Sequence, residues 1–396
     1  MLCNNYITEL LELQDVEIKK IENSEKSKKI HIILKRKEVF CPCCNTKTNK
    51  IHDYRSQTIK DCNTFGKNLV LVLRKRRYVC PECGKRFAEP NTFLPRYHRM
   101  TNRLSATVID KLREERSYTS VAKEVGLSVS TVIRIFDLVQ YPRVTTCPQV
   151  LSIDEFKGNT GGEKYNVILC DTENKRVIDI LPQRKESFLT DYFKKVDRSS
   201  VKYFVSDMWT TYFEISKNFF SKATFLVDKY HWIRQVIWAF EAVRKDVQKT
   251  LKPELRKYFK RSRSLLIKRP NLLTPEQKKS VDLMLWYSPK LSEAYSIKNW
   301  FFEIFDLAES QLAKTELTNW IKCVKDSVLI PFVKCANAYS NWYVGIMNSL
   351  GSRYTNGFTE GCNNKIKVLK RNAYGFRNFR RFRNRILHIF SHQLAA

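Results

Sequence analysis

A chain of 396 residues, 43% of them hydrophobic and 12% aromatic, carries enough apolar material for two or three cored domains and excludes a largely disordered protein. Against 40 Asp and Glu stand 71 Lys and Arg, a formal net charge of +31. Such a surplus repels itself unless a polyanion is near, so double-stranded nucleic acid is the expected partner, with a ribosome-associated or simply basic cytosolic protein as the alternative.

Met1–Asp15 lacks a basic start followed by an apolar run, and no uninterrupted apolar stretch is long enough to cross a bilayer. A cytoplasmic protein without membrane partners is expected. Its 12 cysteines should then be reduced thiols or metal ligands.

Residues 1–95 hold the clustered cysteines and short strand-like runs such as Lys29–Leu34 and Leu69–Arg74. Cys41-Pro-Cys-Cys44 and Cys80-Pro-Glu-Cys83 are two C-x-x-C knuckles, and two intervening residues let both sulfurs of a knuckle reach one Zn²⁺. Tetrahedral Zn²⁺ needs two such pairs, so Cys41, Cys44, Cys80 and Cys83 are the predicted ligands of a structural zinc ribbon. The insert between the knuckles contains hairpin-like strands that can loop out. Cys43, His52 and Cys62 are poorer candidates. Arg74, Arg76 and Arg77 before the second knuckle, with Lys75 among them and Lys85 and Arg86 after it, either touch DNA phosphates or form a solvated strand edge.

Residues 96–145 predict a helix-turn-helix. Val121, Ala122 and Val125 face inward from a first helix, Gly126 permits a left-handed turn, and Ser128 caps a second helix anchored by Val132, Ile133 and Phe136. Val129, Ser130, Thr131 and Arg134 would then enter a major groove.

From 146 to 234, strands and helices alternate. Pro148–Phe156 reads as a buried strand ending in acids, Tyr165–Cys170 and Arg176–Leu181 as a hairpin, and Glu186–Val196 as a helix. Val201–Asp207 and Ala223–Asp228 are further strands running into Asp. Three antiparallel strands followed by helix, strand, helix, strand is the order of an RNase H-like fold, in which the first and fourth strands are neighbours. That order would bring Asp154 and Asp207 together. Adjacent carboxylates repel, so a shared Mg²⁺ (or Mn²⁺) is implied, and two such ions suit phosphodiester displacement. Glu155 and Asp171 read as structural.

Residues 235–350 predict an all-helical insertion with five tryptophans, of which Trp300 is the first candidate to stack on an unpaired base. Residues 351–396 complete the core. On a helix Glu360, Asn364, Lys367 and Arg371 share one face, a third acid beside phosphate-binding cations. The tail from Lys365 to Arg385 interleaves cations with Phe376, Phe379 and Phe382, which predicts a packed helix with a basic face on the DNA backbone.

Ser152-Ile-Asp-Glu-Phe156, Ser206-Asp-Met-Trp209, Val227-Asp-Lys-Tyr-His231 and Asn356–Lys367 together resemble bacterial insertion-sequence transposases of the DDE class, closest to the ISL-three family. The resemblance implies a multidomain α+β chain with zinc ribbon, helix-turn-helix and an interrupted RNase H-like α/β domain. It implies Asp154, Asp207 and Glu360 as the metal-binding triad, and Lys367 matches a lysine found seven residues after the Glu in such enzymes. Asn356 replaces an Arg often seen four before the Glu. Asp228 competes with Asp207 for the second catalytic position. His231 either orients the scissile phosphate or is a neutral core histidine. The expected activity is cleavage and strand transfer at terminal inverted repeats by a homodimer on DNA. A catalytically dead DNA-binding regulator and an RNase H-like nuclease are the alternatives.

Overall fold

The computed structural model describes residues 13, 15–94, 98–307 and 310–391, so most of the Met1–Asp15 segment and the last residues of the chain lie outside it. Two compact units result: Met1–Tyr141 with Lys367–Gly375 and Asn384–His392, and Pro142–Ile366 with Phe376–Arg383 and Gln393–Ala396.

The first unit is built on a sheet of order β1-β2-β6-β5, with β7 on β6: β1 (Val16–Asn23), β2 (Ser27–Leu34), β5 (Ile51–Thr64), β6 (Lys67–Val79) and β7 (Arg86–Ala88). Alternation in β6 sends Leu69, Leu71 and Leu73 inward, where they meet Ile30, Ile32 and Ile59. A two-residue turn joins β5 to β6. Phe65 (φ 52) and Gly66 (φ 72) are both left-handed, as a tight twisted hairpin demands. At its open end, the hairpin leads into β3 (Val39–Phe40) and β4 (Lys47–Thr48) and into Cys80, so the 35-residue gap between knuckles is this hairpin looped out.

Three helices, α1 (Asn102–Lys111), α2 (Tyr118–Val125) and α3 (Val129–Phe136), close around Leu104, Val108, Val121, Val132 and Phe136. Ile135 is buried in α3 and Ile133 only partly, so the third apolar anchor lies two positions beyond the one expected.

The second unit centres on a sheet of order β10-β9-β8-β11-β12: β8 (Val150–Thr160), β9 (Glu163–Asp171), β10 (Arg176–Leu181), β11 (Tyr203–Ser206) and β12 (Thr224–Val227). β8, β9 and β10 are antiparallel, while β11 lies parallel to both β8 and β12. Helices α4 (Glu186–Lys194) and α5 (Thr210–Phe219) bury Leu189, Phe193, Tyr212 and Ile215 in its core. Helices then dominate from α6 (Lys229–Thr250) to α13 (Tyr343–Leu350), around Trp232, Phe301, Trp320 and Tyr339. No described helix is long and apolar enough to cross a membrane.

The last two helices, α14 (Gly357–Asn372) and α15 (Phe379–Phe390), are divided by Tyr374 (φ 54) and Gly375 (φ 92) and contribute residues to both units. The tail is therefore not one basic helix. Arg385 is fully buried, donating to the carbonyls of Glu114 and Arg116, and Arg383 pairs with Asp179 at 2.7 Å. Both guanidiniums are engaged with protein.

Candidate active site and nucleic-acid interface

In the first unit the two knuckles have the same backbone wiring. Asn45 N donates to Cys41 O and Cys41 N to Thr46 O; Gly84 N donates to Cys80 O and Cys80 N to Lys85 O. Asn45 (φ 58) and Gly84 (φ 68) each take the left-handed position that turns the chain back after the second cysteine. The sulfurs of Cys41, Cys44, Cys80 and Cys83 all lie within 4.8 Å of one another, with Cys41–Cys83 at 3.5 Å and Cys44–Cys80 at 3.4 Å. A tetrahedron with metal–sulfur bonds of about 2.3 Å has edges of roughly 3.8 Å, so this donor set fits Zn²⁺.

The adjacent basic run behaves unevenly. Arg74 is exposed and stacks on Tyr54, and Arg77 pairs with Asp53 at 2.9 Å. Arg76 is buried, donating to Leu34 O and pairing with Glu89 at 3.0 Å. Arg76 lies on the opposite face of β6 from Leu69, Leu71 and Leu73, where Glu89 and the Leu34 carbonyl cover it, so it forms a structural ion pair and is not an exposed DNA contact.

In α2–α3, Ser117 accepts from Ser120 N and Ser128 from Thr131 N, two side-chain N-caps. Gly126 has φ 68, and an added Cβ would meet Asn68 Oδ1 at 2.3 Å. The turn is pinned on the hairpin by Lys60 Nζ donating to Gly126 O. Val129, Ser130 and Arg134 are exposed, while Thr131 is partly buried, its hydroxyl 2.8 Å from Ser128 Oγ.

In the second unit Asp154 sits midway along β8, which continues to Thr160; the strand does not end at the acid as its sequence suggested. Asp207 follows the last residue of β11 and Asp228 the last of β12. Glu360 lies in the first turn of α14. Two polar bonds dock this helix on β8. The Ser152 and Thr359 hydroxyls are 2.7 Å apart, and Asn363 Nδ2 donates to Asp154 Oδ2 at 2.9 Å. Steps of two residues on a strand and four on a helix both advance about 6–7 Å along one face, so these pairs match without distortion. Asn363 was not singled out from the sequence. Its position three residues after Glu360, on the face of Thr359, is the signal that would have found it.

The acids raise one another's affinity for protons. Burial pushes Asp154 up to about 7, reinforced by the charges of Glu155, Asp228 and Glu360. Burial likewise lifts Asp207 to about 7, with Asp154, Glu155 and Asp228 adding to it. Asp207 Oδ1 is buried without a hydrogen-bond partner among the described residues. Mutually repelling carboxylates, one of them with an unpartnered buried oxygen, have the donor chemistry of a hard divalent cation site. Glu155 is bound to Arg184 at 2.5 Å, and Asp171 accepts from Asn174 N in its hairpin turn, so both are structural.

Asp228 differs. It is raised by burial but its Oδ1 already accepts the Asn356 N–H at 2.9 Å, and His231 Nε2 stands 3.9 Å from Oδ2. Lys229 Nζ also donates to Ser352 O, so the start of α6 holds the loop that leads into the Glu360 helix. His231 is partly exposed, which sets aside the core-histidine reading. On α14, Lys365, Lys367 and Arg371 are exposed. Trp300 is partly buried against the helical core; the exposed rings are Trp238 and Trp286, at 52% and 77%. Of the five tryptophans in the helical segment, Trp300 is therefore not among the most exposed.

A DNA-reading bihelical unit, a four-thiolate zinc site and a sheet whose strands deliver acids to one neighbourhood define a DNA-processing protein. A family model described as "Transposase" matches residues 151–386, more than half of the chain; residues 37–83 match the zinc-finger of transposase IS204/IS1001/IS1096/IS1165, and residues 89–139 the helix-turn-helix domain of transposase family ISL3. The chain belongs to the ISL3 transposase family.

Among its relatives is the transposase for insertion sequence element IS1001 of Bordetella parapertussis, 25% identical over 356 residues, covering 86% of each chain. The transposase for insertion sequence element IS1557 of Mycobacterium tuberculosis (strain CDC 1551 / Oshkosh) is 29% identical over 120 residues, 30% of this chain and 27% of its own. A Lactococcus lactis subsp. lactis protein described as an ATP-dependent protease is 31% identical over 134 residues, 30% of this chain and 41% of its own. That match covers too little of the chain to weigh against the one that spans 86% of it.

Proposed function

We propose that this transposase binds the terminal inverted repeats of an insertion sequence and performs metal-dependent DNA cleavage and strand transfer on Asp154, Asp207 and Glu360. The observation that supports the reading is that Asp154 on β8 feels the charge of Glu360 on α14 while Asp207, just after β11, feels that of Asp154 and keeps a buried, unpartnered oxygen. The sheet order β10-β9-β8-β11-β12, with its parallel β8–β11 pair, supports an RNase H-like core, and the helices between β12 and α14 support an insertion at residues 235–350.

Asp154, Asp207 and Glu360 would hold Mg²⁺ (or Mn²⁺), which supplies a Lewis acid for the attacking and leaving oxygens of phosphodiester displacement. Everything else falls to the chain. Asn363 holds the Asp154 carboxylate, and Asp228 anchors the approach to the Glu360 helix through Asn356. His231, beside Asp228, would orient the scissile phosphate, and Lys367, on the helix that carries Glu360, would supply a cation. Water first opens a phosphodiester at the element end, releasing a 3′-hydroxyl and leaving a 5′-phosphate. That 3′-hydroxyl then attacks a target phosphodiester, forming a new bond as the target's own 3′-oxygen leaves, with no covalent protein intermediate. Processing two ends together calls for a homodimer on DNA.

The test incubates the full chain with an end-containing plasmid and Mg²⁺ and scores cut and joined products. Asp154→Asn, Asp207→Asn and Glu360→Gln should each lower both products at least about 100-fold, the scale expected for losing a major electrostatic group. Asp228→Asn keeps an acceptor oxygen for Asn356 N–H and should retain a tenth or more of the activity. Abolition by Asp228→Asn with an active Asp207→Asn would overturn the assignment of the second ligand. Cut products without joined ones would favour the nuclease, and neither product from the wild type the dead regulator.

A further inference from the structure

Beside the zinc knuckles the hairpin β5–β6 forms one wall of an open cleft of about 1440 Å³. Arg55 and Lys75 stand opposite each other across the two strands, Lys85 and Arg86 come from the second knuckle, and Arg99 from the segment before α1. The acids at this cleft are already matched: Glu89 pairs with Arg76 and Glu38 with Lys47. No carboxylate pairs with Arg55, Lys75, Lys85, Arg86 or Arg99 among the described residues. Five cations lining one concavity repel one another, which is costly unless a ligand brings regularly spaced negative charge. The cleft's amides are also engaged, Gln57 with the His98 carbonyl and Asn91 with Leu94 N–H. It offers charge and little base-edge recognition.

The same hairpin carries the helix-turn-helix. Lys60 Nζ donates to Gly126 O, Asn63 Nδ2 to Glu124 O, and the residue closest to a Cβ placed at Gly126 is Asn68. Arg55 and Asn63 are separated along β5 by about 26 Å at roughly 3.3 Å per residue, most of a 34 Å turn of duplex. We propose that this cleft is a second DNA site, clamping the phosphate backbone of the duplex that flanks the half-site read by α3. The proposal rests on the DNA-binding reading above and extends it from the basic runs beside the second knuckle to one cleft that also takes in Arg55 and Arg99.

The test uses the zinc-loaded full chain, with anisotropy titrations over a salt series on an end duplex, a scrambled duplex, the matching single strand and an RNA duplex. Arg55→Gln/Lys75→Gln/Arg86→Gln should lower the slope of log K against log salt by roughly 2 to 3, at about 0.9 for each phosphate no longer neutralised. Affinity for both DNA duplexes should fall together by more than tenfold at 0.1 M salt, with their ratio unchanged, and the protected footprint should shorten on one side. Ser130→Ala/Arg134→Ala should instead erode the ratio. Because Arg55 and Arg86 are exposed, the double variant Arg55→Gln/Arg86→Gln with full zinc content serves as a second, fold-neutral arm. An unchanged slope and footprint in both variants overturns the cleft alone. A loss of sequence ratio, or tighter binding of single strand or RNA that the variants abolish, overturns its assignment to a duplex DNA backbone. A wild type that binds no DNA overturns the underlying reading as well.

Discussion

The carboxylates at the centre of the second unit are held in a condition that protein groups alone do not relieve. For Asp154 and Asp207, folding raises the proton affinity from the ordinary carboxylate range to about 7. The folded chain therefore binds protons more strongly than the unfolded one between about pH 4 and 7. The stability these groups contribute is complete below pH 4 and is lost as pH rises through 7. Metal-free protein should lose thermal stability between about pH 4 and 7, by an amount on the order of a few kcal/mol for the pair, and level off above that. Asp207→Asn should flatten that dependence and raise the metal-free melting temperature at pH 8, while erasing the stabilisation produced by added Mg²⁺. A steeper pH dependence in Asp207→Asn than in the wild type would contradict the burial-driven shift.

At the level of elements, the geometry is set by short polar bonds between a strand or hairpin and the helix laid on it. Ser152–Thr359 and Asp154–Asn363 fix α14 on β8, and Lys60 and Asn63 fix the helix-turn-helix on β5. The tightest of these junctions is Gly126, where a left-handed backbone and the approach of Asn68 coincide. Gly126→Ala should destabilise the first unit by about 1–3 kcal/mol through αL strain and displacement of Asn68. Thermal denaturation would measure that loss. End-duplex binding should weaken through local opening of the bihelical turn, while the metal-binding stabilisation of the second unit stays unchanged.

For the molecule as a whole, the large positive charge resolves into distinct fates. Some cations are structural and buried, as Arg76, Arg244, Lys298 and Arg385 are. Others stay exposed beside the zinc knuckles, on α3 and on α14. The zinc site underpins the first group of exposed cations, because both ends of the β5–β6 hairpin run into it. Structural zinc contributes about 10 kcal/mol or more to folding in small ribbons. Chelation, or Cys83→Ser, should release one zinc per chain, expose the hairpin's open end to proteolysis between residues 37 and 90, and reduce DNA affinity. Metal analysis together with limited proteolysis checks this, and a zinc-free chain with native protease resistance would show the thiolates to be dispensable.

What was legible in the amino-acid order was what short-range chemistry specifies. Two residues between cysteines position two thiolates, a glycine between apolar-periodic runs makes a bihelical turn, and an apolar run into Asp ends a strand at Asp207 and Asp228, though not at Asp154. The strand pattern even anticipated that β8 and β11 would pair. Distant partners decided the rest. Arg76, Arg383 and Arg385 look like surface charge in one dimension and are engaged only because Glu89, Asp179 and the carbonyls of Glu114 and Arg116 arrive from elsewhere in the chain. The Asn356 N–H that Asp228 accepts likewise comes from far along the chain. Which face of a helix is covered, and which polar group finds a partner across the fold, depends on long-range register, and local spacing does not encode it.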